Sequence, residues 1–167
     1  MRRTFFYLEE TILLTIVSTA ERQDLVAVTG KWRWETFLKK EMTYEQALKL
    51  EKDCATNGEL MPTVLALLSD MRPVGMIALC LDDLDNRPEL NPWLAGLYVD
   101  PPYRGTGYAT HLIRELEGFA VRAGITQLSL YTSGAVALYR KAGWSEIEIF
   151  TKGGQEYAIM QKQLARR

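Results

Sequence analysis

Apolar and polar positions along this chain follow two periods, and the switches between them predict its elements. "TILLTIV", Thr11 to Val17, is β-branched and apolar and predicts a first strand. "STAERQDLVAVTGKWRWETFLKK" follows, with Ser18 and Thr19 as candidate caps and Leu25, Val26 and Val28 as its apolar positions. It predicts a helical region in which Gly30 is a candidate break. "TYEQALKLEKDCATNG" has a cap at Thr43, apolar spacing at Ala47, Leu48 and Leu50, and a stop at Asn57-Gly58, a second helical region. "MPTVLALL" and "RPVGMIALCL" are apolar runs separated by "SDM" and read as an antiparallel hairpin. An acidic loop, "DDLDNRPELNP", leads to another strand, "WLAGLYV".

The second half repeats the switch. Ala109, Leu112, Ile113, Leu116, Ala120 and Ala123 have the spacing of one buried helix face, ended by Gly124. "TQLSLYT" is a strand, and "GAVALYRKAG" is a short helix with a glycine stop. "WSEIEIF", a "TKGG" turn and "QEYAIMQKQL" form a closing hairpin. This order predicts an α+β fold: a mixed, mostly antiparallel sheet of about six or seven strands, about four helices and a central βαβ unit. With no repeat, linker or low-complexity segment, residues 1–167 are expected to form a single domain.

Composition agrees and narrows the function. At 167 residues and 47% hydrophobic, the chain can build one substantial core. A net charge of -1 gives no bulk attraction to nucleic acid, although a local patch stays open. Cys54 and Cys80 lack metal-ligand spacing, and the one histidine, His111, cannot complete a zinc set, so no metal is expected. Both cysteines read as small apolar groups, in keeping with a reducing cytoplasm. At the N-terminus Arg2 and Arg3 precede apolar residues, but Glu9 and Glu10 interrupt the run, so it reads as no signal peptide. No run approaches the about 20 apolar residues of a membrane span. A soluble, cytoplasmic protein is expected.

The candidate chemistry begins in "YVDPPYRGTGYATHLIRELEGFA", where a strand feeds a helix through Arg104-Gly105-Thr106-Gly107-Tyr108-Ala109. Helix N-termini leave backbone N–H groups unpaired and carry partial positive charge, and glycine lets an anion come close. The turn reads either as an anion cradle or as a steric device. A Walker loop is excluded, because no Gly-Lys-Ser/Thr follows the glycines. A dinucleotide fingerprint lacks its third glycine, and antiparallel strands precede the turn.

Downstream residues add to this. Arg104, Gly107 and Ala109 fit the pattern Arg-x-x-Gly-x-Gly/Ala, and "ALYRKAGW", Ala137 to Trp144, follows the next strand. In these two linked motifs the chain resembles the GNAT-type N-acetyltransferases. The resemblance implies that strand 93–99 splays from strand 126–131, and that acetyl-CoA, as co-substrate, lies in the gap. Main-chain groups of Leu97 and Val99 would meet its pantetheine arm. The amides of Arg104, Gly105, Thr106, Gly107, Tyr108 and Ala109 would meet its pyrophosphate. The family often has Asn where this chain has Thr132, whose hydroxyl can still form a hydrogen bond. The resemblance also makes Tyr139 the general acid for the leaving thiolate and the Val99 N–H the oxyanion donor.

The implied function is acetyl transfer to a primary amine of a small molecule or peptide, by direct attack in a ternary complex. The other readings are a regulatory module that holds a CoA thioester without turnover, which Thr132 allows, and an aminoacyl-tRNA-acetylating toxin, which the near-neutral charge disfavours. Relatives that pair through sheet edges make a homodimer an option. Base candidates are Asp82, Asp83, Asp85 and Glu89, in the loop entering the splayed strand, with Glu89 the first choice as nearest that strand. An acidic mouth would draw a cationic amine. His111 falls with Arg114, Glu115 and Arg122 on a polar face and is expected to meet solvent. Trp32, Trp34 and Phe37 either line an acceptor pocket or pack the early helices on the sheet.

Overall fold

The computed structural model of the chain describes residues 11–165, so the reading of Arg2, Arg3, Glu9 and Glu10 lies outside the described residues. Among the described residues, seven strands form one sheet: β1 (Leu14–Ser18), β2 (Thr63–Ser69), β3 (Arg72–Cys80), β4 (Trp93–Val99), β5 (Gln127–Thr132), β6 (Ser145–Lys152) and β7 (Gln155–Gln163). Their spatial order is β1-β2-β3-β4-β5-β7-β6. Neighbours are antiparallel except β4 and β5, which are parallel and joined through a crossover helix, α3 (Tyr108–Arg122). The other helices are α1 (Val26–Arg33), α2 (Tyr44–Thr56) and α4 (Val136–Lys141). The expected α+β sheet is therefore the observed one. No described helix is long and apolar enough to cross a membrane.

The strands β2 and β3 read as almost unbroken apolar runs because both of their faces are covered. Leu65, Leu67, Ile77 and Leu79 join Leu112, Ile113, Leu116 and Ala120 of α3 in one buried cluster. Met76, Ala78 and Cys80 pack with Trp32 of α1 on the other side, and Ala66 and Leu68 with Leu25. The hairpin turn is Asp70–Met71, both at positive φ (47° and 68°). Asp70 Oδ1 accepts the Leu13 N–H at 3.0 Å, which ties the turn to the residues entering β1.

Two expectations about the early helices change. Gly30 does not break its helix; α1 runs through it and continues as a π-helical turn, Trp34–Leu38. A β-carbon at position 30 would lie 3.3 Å from Leu48 Cδ1 and 3.4 Å from Glu51 Cβ, so the glycine lets α2 approach. Ser18 and Thr19 do not cap α1, because residues 19–25 form a turn and a short 3-10 segment first. Thr43 does cap α2: its Oγ1 accepts the Gln46 N–H at 3.2 Å while Gln46 Oε1 accepts the Thr43 N–H at 2.9 Å.

Candidate active site

The parallel pair holds at one point. Trp93 is opposite Ser129, the Ser129 N–H donates to the Pro92 carbonyl at 3.1 Å, and no later residue of β4 is in register with β5. A bulge helps turn β4 away. Between the pairs Met76–Tyr98 and Ala78–Ala95, Gly96 and Leu97 oppose the single residue Ile77, with Gly96 at φ 59°. Such a bulge bends its strand and increases its twist. The result is a cleft of about 1110 Å³ between the two strands, lined by the free edge of β4 from Leu94 to Val99, by Leu130, Tyr131 and Thr132 of β5, and by the 36–41 segment after α1.

At one end of this cleft lies the glycine turn. Gly105 (φ 79°) and Gly107 (φ 86°) are left-handed, and a β-carbon at either would meet only open space. The fold's packing thus imposes no steric need for glycine there; the backbone conformation does. The amides of Gly105, Thr106 and Gly107 take no backbone partner, and the first amides of α3 have none within the helix. Arg104, Gly105, Gly107, Tyr108 and Ala109 line the cleft. Thr106 does not; its hydroxyl donates to the Tyr103 carbonyl at 2.7 Å and braces the turn. The Arg104 side chain reaches back to β4, where its Nε donates to the Val99 carbonyl at 2.8 Å and its guanidinium lies 5.5 Å from the Tyr98 ring centroid. Of the main-chain groups of Val99, the carbonyl is therefore already engaged.

Tyr139 lies in the wall of the cleft on α4, and only 5% of it is exposed. Its place follows from the "KAGW" ending. The Trp144 N–H donates to the Tyr139 carbonyl at 3.0 Å and the Gly143 N–H to the Arg140 carbonyl at 3.1 Å, with Gly143 at φ 91°. This is a Schellman cap, and its two outer residues meet: the Tyr139 and Trp144 rings are 6.0 Å apart, edge to face. Trp144 Nε1 donates to Glu117 Oε1 at 2.9 Å, Lys162 pairs with Glu117 at 2.8 Å, and Lys162 Nζ also donates to the Ala142 carbonyl at 2.7 Å. The phenol is thus anchored to α3 and β7. Burial holds its pKa well above that of an ordinary tyrosine, which keeps it protonated. At the other end of α4, Thr132 Oγ1 accepts the Ala135 N–H at 3.1 Å, and its own O–H stays available to donate into the cleft.

The acidic loop needs a correction. Glu89 is exposed and does not line the cleft. It is bound by Arg87 at 2.6 Å, and this hydrogen bond holds its carboxyl below the usual range. Arg87 in turn forms paired bonds to Glu148 on β6 at 2.9 and 3.0 Å, so the segment is pinned to the outer edge of the sheet. Asp82 accepts from the Asn91 side chain, and Asp85 is exposed. Asp83 is the one of the four that lines the cleft. Burial raises its pKa to about 6, opposed by the nearby charges of Arg33 and Lys152. Arg33 is itself held by the buried Glu51, at 3.2 Å.

The aromatic residues divide. Trp32 is buried and packs on Tyr98 at 5.1 Å. Trp34 donates its Nε1 to the Met42 carbonyl at 2.9 Å and leans on Tyr44. Phe37 alone of the three lines the cleft, 45% exposed. His111 is half-buried and is not among the cleft residues. Both cysteines are free thiols, Cys80 buried and Cys54 half-buried, and among the described residues no group of His, Cys, Asp and Glu could hold a metal ion.

A mixed sheet parted at its one parallel pair, with a glycine-started helix at the mouth, is an architecture that comparison assigns to a family. The model of the acetyltransferase (GNAT) family matches residues 27–144, and the chain belongs to that family. It is accordingly a GNAT-family acetyltransferase, an acyltransferase. A GNAT-family acetyltransferase from Streptococcus pneumoniae is 18% identical, with a TM-score of 0.67 over 93% of this chain and 100% of that one. An acetyltransferase from Salmonella typhimurium, solved with its cofactor acetyl-CoA, is 15% identical, with a TM-score of 0.67 over 95% of this chain and 96% of the other. An aminoglycoside 6'-N-acetyltransferase complexed with coenzyme A is 13% identical, with a TM-score of 0.72 over 92% and 98%. At these identities the likeness is one of fold. No curated protein matches the sequence significantly.

Proposed function

We propose that this chain moves the acetyl group of acetyl-CoA directly to a primary amine of a small molecule or peptide. The observation that carries the reading is one continuous cleft, which joins the open amides of the 105–109 turn to a buried phenol, Tyr139, and a partly buried carboxylate, Asp83. The solved neighbours that bind acetyl-CoA or CoA support it.

In this reading the amides of Gly105 to Ala109 receive the pyrophosphate, and the edge of β4 at Leu97 receives the pantetheine arm, the Val99 carbonyl being held by Arg104. Asp83 takes a proton from the arriving ammonium, which leaves a lone pair on nitrogen. That nitrogen attacks the thioester carbonyl carbon, and the Val99 N–H steadies the oxyanion. The carbonyl re-forms as the C–S bond breaks. The sulfur departs with the Tyr139 proton, and the excess proton on the product nitrogen leaves to solvent or restores the phenol. Asp83 replaces Glu89 as base in this scheme because, of the four acidic-loop carboxylates, it is the one that lines the cleft. Thiol release from acetyl-CoA, followed with a panel of small amines and N-terminal peptides, tests the reading. Amine-dependent release supports it, and tight acetyl-CoA binding with no release for any amine would overturn it.

A further inference from the structure

Tyr131 and Tyr157, which line the cleft, belong to an aromatic cluster separate from the one that packs on α3, and this cluster already holds a cation. Tyr131 of β5 packs edge-on against Trp93 (6.1 Å), Phe150 (5.6 Å) and Tyr157 (5.4 Å), and Phe150 and Tyr157 stack on each other at 5.5 Å. Over the Tyr131 ring, 5.9 Å from its centroid, lies Lys152 Nζ. The same ammonium is 3.9 Å from Glu41 Oε1, in the segment between the π-helical turn and α2. Tyr131, Lys152, Glu41 and Asp83 all line the cleft.

A cation held between a ring face and a carboxylate is a recognition geometry for ammonium groups. Here the cation is on loan from the chain. Lys152 sits beside the Gly153-Gly154 turn, both glycines at positive φ, and its side chain is 49% exposed. An exposed pair of this kind contributes little, so the side chain can swing into solvent at low cost. Once it has left, the ring face and the Glu41 carboxylate have both lost their cation. We propose that the acceptor carries a second positive group besides the amine that reacts, and that this second cation takes the place of Lys152 between Tyr131 and Glu41. The inference rests on the acetyl-transfer reading for the reacting amine. A carboxylate in that position is disfavoured, because it would face Glu41 and Asp83 as well as Lys152.

Three four-carbon probes separate these cases: 1,4-diaminobutane, butylamine and 4-aminobutyrate, titrated calorimetrically into the CoA-loaded protein, with 1,6-diaminohexane and hexylamine as a longer pair. The diamines should bind about fivefold tighter than the matched monoamines, and 4-aminobutyrate weakest. Lys152→Gln should widen the diamine advantage, since nothing then has to be displaced, and Glu41→Gln should erase most of it. Circular dichroism checks that both surface variants keep their fold. Equal affinity for diamines and monoamines, tightest binding of 4-aminobutyrate, no binding of any probe, or an unchanged preference in Glu41→Gln would each overturn the inference. Diamine binding without thiol release from acetyl-CoA would leave the cation subsite standing and sink acetyl transfer. Equal turnover of butylamine and diaminobutane would do the reverse.

Discussion

Tyr139 and Asp83 are tuned in the same sense by the same cause, and to different ends. Burial disfavours the charged form of each, so the phenol stays protonated and the carboxyl ionises late, near pH 6. A protonated phenol suits a thiolate leaving group, and a carboxylate of raised pKa suits an arriving ammonium. Tyr139→Phe keeps the ring against Trp144 and removes only the proton. It should lower kcat by about 100- to 10,000-fold with little change in acetyl-CoA affinity, and the loss should shrink for a thioester of a more acidic thiol. Asp83 makes a pH prediction. As the base of the proposed scheme it would work ionised, so kcat/KM should fall as pH drops through about 6. Asp83→Asn should lower the rate and remove that inflection, whereas Glu89→Gln should leave the profile unchanged. The choice of Glu89 from the sequence used its closeness along the chain to β4. Nothing in the sequence showed that Arg87 would bind it and hold it at the sheet edge with Glu148.

At the scale of elements, the patterned parts were legible and the irregular ones were not. Hydrophobic period and turn residues marked the strands and helices, and the linked "RGTGYA" and "ALYRKAGW" stretches both contribute residues to the lining of the cleft. The Schellman cap after α4 gives the second stretch its physical sense, because it fixes Tyr139 against Trp144. The bulge at Gly96-Leu97 was not legible, since "WLAGLYV" reads as plain strand and the extra residue shows only against β3. Gly30 misled for a similar reason: its role is contact with α2, which a single element does not reveal. For the glycine turn, Gly107→Asp places a negative side chain on the open face of the amide cradle. Calorimetry on the folded variant should show acetyl-CoA binding lost, and unchanged affinity would remove the pyrophosphate from this turn. Gly75 is different, because a β-carbon there would sit 2.8 Å from the Tyr98 carbonyl and 3.0 Å from Leu112 Cδ1. Gly75→Ala should therefore cost about 1–3 kcal/mol, read from the denaturant midpoint.

In the whole molecule, function follows from one break in an otherwise continuous sheet. The covered strands β2 and β3 and the face of α3 supply a rigid support, and β4 is held on β3 while it leaves β5. The cleft so formed is lined by residues far apart in sequence, from Arg33 to Tyr157, which is why the acceptor end was the least legible part of the site. Its carboxylates and aromatic rings come together only in the fold. The chemistry assigned to this cleft is direct transfer, with no acetyl group resting on the protein. Quantitative mass spectrometry of a reaction with acetyl-CoA and an accepted amine tests that most directly, by measuring released CoA, acetylated amine and the intact mass of the chain together. One acetylated amine should appear per CoA released, with no release when the amine is omitted and no change in the mass of the protein. CoA release matched by an acetylated chain, or CoA release without acetylated amine, would contradict direct transfer in this cleft.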